Sequence, residues 1–199
     1  MKLEIKRQEK NKKRFSIFSD GEYLFSVSEY TYFKENLSDG MEAEDIESLK
    51  IRCNTSEFMN YALNIMSRHI YTKKSLREKL LIKGCDEKSA QIIIDELIEK
   101  NILSDNAYKE NFIYESQKYK KNGIKRIKQE LYLKGITAED DDFDFELEEE
   151  NLKELLKILI KKEKDEKKII NKLINKGYNF SKILNELKNY KNTDIYDYE

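Results

Sequence analysis

The sequence predicts a mainly α-helical protein of tandem three-helix repeats in an elongated, curved array, preceded by a small N-terminal β-hairpin or sheet with accompanying helices. Three observations carry this prediction. First, one phrase occurs three times: Leu76-x3-Leu80-x2-Lys83-Gly84-Cys85, Ile127-x3-Leu131-x2-Lys134-Gly135-Ile136 and Ile169-x3-Leu173-x2-Lys176-Gly177-Tyr178. Second, the 199 residues contain no proline and only six glycines, and three of those glycines close the phrase. Third, apolar residues recur at helical spacing downstream of residue 54, whereas those of residues 1–28 alternate.

The phrase has a physical reading. Apolar residues four apart share one helix face, a lysine in the last turn complements the helix dipole, and the glycine behind it can take the left-handed cap. Each phrase is therefore a short helix with a hard stop. The next residue is apolar, and a capping candidate follows it (Asp86, Thr137, Asn179), so a further helix is expected to begin there.

Taken in order, Arg14–Ser19 and Glu22–Val27 alternate on either side of Asp20-Gly21 and predict a hairpin, to which Lys2–Lys6 adds a third strand. Ser28 caps a short helix to about Leu37, and a second helix spans Glu42 to about Ile51. Asn54-Thr55-Ser56-Glu57 reads as a capping box that opens the first repeat. The predicted divisions are 1–53 for the sheet and two short helices, then repeats at 54–101, 102–147 and 148–190, and a frayed tail at 191–199. From Glu139 to Glu150 there are nine acidic residues and no basic one, with Phe143 and Leu147 as the expected core face; no glycine marks where that helix ends. A compact globule of this length would have a radius of gyration of roughly 16 Å, and the array is expected to exceed it.

Charged residues make up 39% of the chain and the mean hydropathy is −0.83, yet the periodicity argues against disorder. The net charge is −1, so any attraction to an anionic partner has to be local. No apolar run is long enough to span a bilayer and the charged N-terminus lacks a signal-peptide core, so a soluble, cytoplasmic protein without membrane contact is expected. Cys53 and Cys85 are isolated in sequence and read as small buried hydrophobes, with no disulfide and no metal site indicated.

Two basic clusters are the candidate sites. Lys118, Lys120, Lys121, Lys125, Arg126 and Lys128 straddle Gly123, with Tyr119, Ile127 and Leu131 turned inward; Arg68, Lys73, Lys74 and Arg77 form a weaker cluster at the matching corner of the first repeat. From the residues alone, a surface for nucleic-acid phosphates or an acidic protein and a solvated lysine-rich face weigh equally. Tyr108, Tyr119 and Tyr132 could stack on bases, but their helical spacing favours the core or its margin. The acidic segment has three readings: balance for neighbouring lysines such as Lys161 and Lys162, which is favoured, mimicry of DNA, or a divalent-cation site. His69 has no partner for catalysis. No phosphate loop, nucleophile motif or zinc-protease motif is present, so no catalytic residue and no cofactor is assigned.

Ser67-Arg68, then Leu76-x3-Leu80-x2-Lys83-Gly84, Leu103-Ser104-Asp105-x-Ala107-Tyr108 and Asn122-Gly123-Ile124-Lys125-Arg126-Ile127-x3-Leu131-x2-Lys134-Gly135-Ile136 together resemble the RecX family, regulators of the RecA recombinase. The resemblance covers residues 55–187; its order and spacing are more specific than any single phrase, and only the acidic segment departs from the family's pattern. It implies a non-enzymatic, monomeric regulator of homologous recombination and DNA repair. Such a protein binds the groove of the RecA–DNA filament through the two basic clusters and inhibits ATP hydrolysis, filament extension and strand exchange. Single- and double-stranded DNA are further candidate partners. One alternative is a RecA-independent DNA-binding module of tandem helical units. A second is a carboxylate-dependent metal enzyme acting on nucleic acid through Asp140–Asp142.

Overall fold

The computed structural model describes residues 1–196, with side chains as far as residue 192. The chain is mainly helical with a small N-terminal sheet and divides into two units, Met1–Ser104 and Asp105–Glu199.

In the first unit, β1 (Leu3–Arg7), β2 (Arg14–Ser19) and β3 (Glu22–Ser28) form an antiparallel sheet in the order β1-β2-β3. The two-residue loop Asp20-Gly21 has both φ angles positive, +50° and +79°, which twists the ribbon in the sense the strands need. Alternation then buries Leu3, Ile5, Phe15, Ile17 and Val27 on one face, where they pack with Leu37 and Ala43 from the connection at residues 35–45 and with Leu49 and Cys53 from the helix that follows it. Helix α1 (Glu29–Lys34) starts at Ser28, whose hydroxyl accepts from the Thr31 N–H at 3.2 Å.

Helix α2 (Ile46–Met66) is one continuous helix, capped by Asp45, and no new helix begins at Asn54. The residues of the apparent capping box are used sideways. The Asn54 amide oxygen accepts from the Cys85 thiol and the Asp86 N–H, both at 3.3 Å; the Ser56 hydroxyl donates to Glu35 at 2.5 Å; and Glu57 pairs with Arg14 at 2.6 Å. With no glycine or proline between Ile46 and Met66, nothing interrupts the ladder. The helix therefore serves two cores, through Leu49 and Cys53 on the sheet and through Ala62 on α3 (Lys73–Ile82) and α4 (Glu87–Glu99). Burial pushes the thiols of Cys53 and Cys85 up to about 12, so both stay neutral at physiological pH.

The second unit holds α5 (Asp105–Lys118), α6 (Ile124–Leu133), α7 (Phe145–Lys162), α8 (Glu166–Asn175) and α9 (Phe180–Tyr196). The helix expected from Glu139 and the one expected after 148 are replaced by a single 3₁₀ turn, Asp140–Asp142, and α7. Thr137 starts no helix. Three successive aspartates are poor helix formers with mutually repelling charges, and Asp144 supplies the better cap by accepting from the Leu147 N–H at 2.9 Å. Phe143 is buried as expected, but in the extended link before the cap, while Leu147 is half-buried. Helix α7 packs on α5, α8 and α9. The tail expected to fray from residue 191 is helical to Tyr196; residues 197–199 lie outside the described part.

All three repeat phrases end in the same way. The N–H of the residue after the glycine bonds back to the second leucine carbonyl (Cys85 to Leu80 at 3.0 Å, Ile136 to Leu131 at 3.0 Å, Tyr178 to Leu173 at 3.1 Å). The glycines sit at φ +101°, +81° and +97°. This is the Schellman stop that the lysine–glycine pairs predicted.

Candidate functional site

The larger basic cluster is built around a joint within the second unit. Helix α5 ends at Lys118, Lys121 turns the chain at φ +50°, and Gly123 becomes the N-cap of α6. A glycine has no side chain with which to cap, and Glu148 of α7 takes over that task. One carboxylate oxygen accepts from the Ile124 N–H at 2.9 Å and the other from Lys182 Nζ of α9 at 2.9 Å, with Glu148 only 6% exposed.

The α8–α9 corner closes on this helix start. A Cβ added to Gly123 would fall well inside contact distance of the Gly177 carbonyl, and one added to Gly177 would strike the Arg126 backbone. The absence of both side chains lets the Gly123 N–H donate to the Lys176 carbonyl at 2.9 Å. Around this contact the Tyr178 hydroxyl donates to the Lys121 carbonyl at 2.9 Å, Lys176 Nζ to the Lys120 carbonyl at 2.5 Å, and an Arg126 guanidinium nitrogen to the Asn175 carbonyl at 3.3 Å. Burial, reinforced by Glu148 and Glu154, raises the Tyr178 hydroxyl pKa.

Three cations converge at the joint. Burial lowers the Lys176 pKa, and so do Arg126 and Lys121, which shows how closely the like charges are packed. Of the six residues read from sequence, Lys121 is half-buried and paired with Glu154, Lys128 is paired with Asp140 at 2.6 Å, and Arg126 with Glu130 at 2.7 Å. Lys118, Lys120 and Lys125 are exposed and form no ion pair among the described residues; Lys118 donates to the Tyr114 hydroxyl at 2.9 Å and Lys120 lies over the Phe112 ring. Lys125 also lines a cleft of about 500 Å³ with Arg126, Gln129 and Asn175. Sequence reading missed Lys176, Glu148 and the Gly123–Gly177 contact.

In the first unit Arg68, Lys73, Lys74 and Arg77 are all exposed, and Arg77 pairs with Glu87. The two clusters share one feature. Lys74 and Lys125 each stand two residues after the N-cap of a helix whose first turn has no acidic residue. Cations at a helix N-terminus oppose the dipole and cost about 0.3–1 kcal/mol each, while they raise the local positive potential.

Two expectations about side chains are corrected. Tyr119 and Tyr132 are 68% and 74% exposed, because the inward positions are taken by Ile113, Ser116 and Gln117 on α5 and by Ile124, Ile127 and Leu131 on α6. The amide of Gln117 donates to the Asp144 carbonyl at 2.8 Å, so a polar contact fills the place where the tyrosine was expected. The acidic segment is bound to lysines other than Lys161 and Lys162: Lys109 holds Asp142 at 2.6 Å and depresses its pKa, and Lys128 holds Asp140. Among the described residues no cluster of acidic, histidine or cysteine side chains could hold a metal ion, and no helix is long and apolar enough to cross a membrane. His69 is exposed beyond the end of α2.

The sheet and the repeated helix–glycine stops define a mainly helical protein with a small N-terminal sheet, and the similarities to known proteins specify its class. The family described as "Regulatory protein RecX N-terminal domain" matches residues 4–44, which take in nearly all of the sheet, α1 and the link toward α2. The regulatory protein RecX of Clostridium botulinum is 32% identical over 211 residues, covering 98% of this chain and 98% of the relative, and that of Clostridioides difficile is 30% identical over 208 residues, covering 96% and 97%. A crystal structure of regulatory protein RecX superposes with a TM-score of 0.61 at 24% identity, over 91% of this chain and 96% of the other. That of RecX from Lactobacillus salivarius gives 0.59 at 26%, over 68% and 96%. The chain belongs to the RecX family of regulatory proteins.

Proposed function

We propose that this protein regulates homologous recombination and DNA repair by binding in the groove of the RecA–DNA filament, where it inhibits RecA ATP hydrolysis, filament extension and strand exchange. The observation that carries this reading is the similarity to RecX proteins along nearly the whole chain. The residues proposed to face the filament are Lys118, Lys120, Lys121, Lys125, Arg126 and Lys128, with Lys176 added, and in the first unit Arg68, Lys73, Lys74 and Arg77. The protein acts as a cytoplasmic monomer by binding rather than catalysis, and its helices from α2 onward supply the surface that fits the groove.

A second reading, a RecA-independent DNA-binding module, draws support from Lys74 and Lys125, whose placement against helix dipoles suits phosphate attraction. The deciding experiment is ATP hydrolysis by the cognate RecA on single-stranded DNA with this protein added. Inhibition by far fewer molecules than there are RecA subunits is expected. Absence of inhibition at amounts that saturate naked DNA would overturn the regulator and leave the DNA-binding module.

A further inference from the structure

We infer that Tyr119 is a base-stacking residue for single-stranded nucleic acid, braced by Tyr114 and set beside the cationic joint that takes the phosphates. The inference rests on the reading of the Lys120–Lys125 corner as a nucleic-acid surface.

Tyr119 and Tyr114 are 68% and 51% exposed, large apolar rings left in water at the end of α5. They are not independent. Their ring centroids are 5.8 Å apart at an interplanar angle of 83°, an edge-to-face pair, and Lys118 ties to the Tyr114 hydroxyl and lies 5.0 Å from that ring's centroid. Lys118 thus occupies Tyr114, which holds the pair in place while Tyr119 remains the more open ring. An exposed aromatic fixed by a neighbour loses little side-chain freedom when a second flat group stacks on it.

The residue next to Tyr119 is Lys120, whose carbonyl is tied to Lys176 and whose turn leads directly into Lys121 and Lys125. A ring in water next to crowded cations is the combination with which sequence-tolerant single-strand binders work, because each base offers a π-face and each linkage a negative charge. A duplex keeps its bases stacked inside, so Tyr119 favours the single strand. The Tyr119 hydroxyl pKa is raised, chiefly by its hydrogen bond with Tyr114, a second tie between the two rings.

The test is fluorescence anisotropy of the full chain with a labelled oligothymidylate of about 15 nucleotides, and with an abasic phosphodiester of the same length and charge. The wild-type chain is expected to bind the base-bearing strand about tenfold more tightly. Tyr119→Ala should erase that preference and Tyr119→Phe should keep it, with circular dichroism unchanged in both. Equal affinity of the wild-type chain for the two strands, no binding to either, or a preference that survives Tyr119→Ala would overturn the inference. Lys120→Glu with Lys125→Glu separates the two claims. Weaker binding to both strands supports the phosphate corner, whereas unchanged affinity with the preference intact removes that corner and leaves the stacking residue.

Discussion

The Lys83-Gly84 and Lys176-Gly177 corners share one local design and differ in everything around it. Both have a left-handed glycine, at φ +101° and +97°, and the same pair of capping hydrogen bonds. A Cβ on Gly84 would meet nothing within 4 Å, and Ile82 beside it is 82% exposed. Gly177 is pressed against Gly123 and Arg126, and the carbonyls before it receive an amide and a guanidinium. One phrase thus encodes one helix stop, and the partner in space decides whether that stop is a surface or a joint.

The comparison breaks most sharply under substitution of the glycines. Gly177→Ala combines a left-handed residue, at about 1–2 kcal/mol, with overlap against backbone that cannot step aside, at about 1–3 kcal/mol. A loss of about 2–5 kcal/mol is expected, a large share of the stability of an ordinary domain. Gly84→Ala meets only the first cost, about 1–2 kcal/mol. Urea unfolding midpoints at a constant m-value measure both, and equal losses would show that the joint adds nothing beyond the helix stop.

A smaller effect is expected from the carboxylate that supports the joint. Glu148→Ala leaves the Ile124 amide without an acceptor and Lys182 without its nearest charge, a loss of about 2 kcal/mol. Glu148→Gln keeps the acceptor for the amide and is expected to lose less. Should the two variants unfold at the same midpoint, the charge on Glu148 rather than its hydrogen bond to α6 would be its contribution.

These contacts also mark what could be read from the sequence. The hairpin turn at Asp20-Gly21, the Ser28 and Asp86 caps and the three Schellman stops are set by residues within a few positions of one another, and each appears where local chemistry puts it. Asn54–Glu57 has the local signature of a helix start, but its polar side chains are claimed by Cys85, Asp86, Glu35 and Arg14 from elsewhere in the chain, and α2 runs through. The aspartates at 140–142 carry enough like charge to favour a turn over the helix expected there. The basic run was legible as a cluster. Its division into paired and unpaired cations was not, since Glu154, Asp140 and Lys176 lie far from it in sequence. Tyr119 was assigned inward by helical spacing alone, and the buried Gln117 amide left it in water.

The central claim is that this basic corner meets the filament, with its exposed lysines supplying the attraction. It is tested most directly by RecA ATP hydrolysis on single-stranded DNA in the presence of the Lys120→Glu, Lys125→Glu chain. Both residues are exposed and form no ion pair among the described residues, so the variant is expected to melt like the parent. The amount needed for half-inhibition should rise by about tenfold or more, as like charges are brought against the partner surface. Undiminished inhibition by this folded variant would contradict the account.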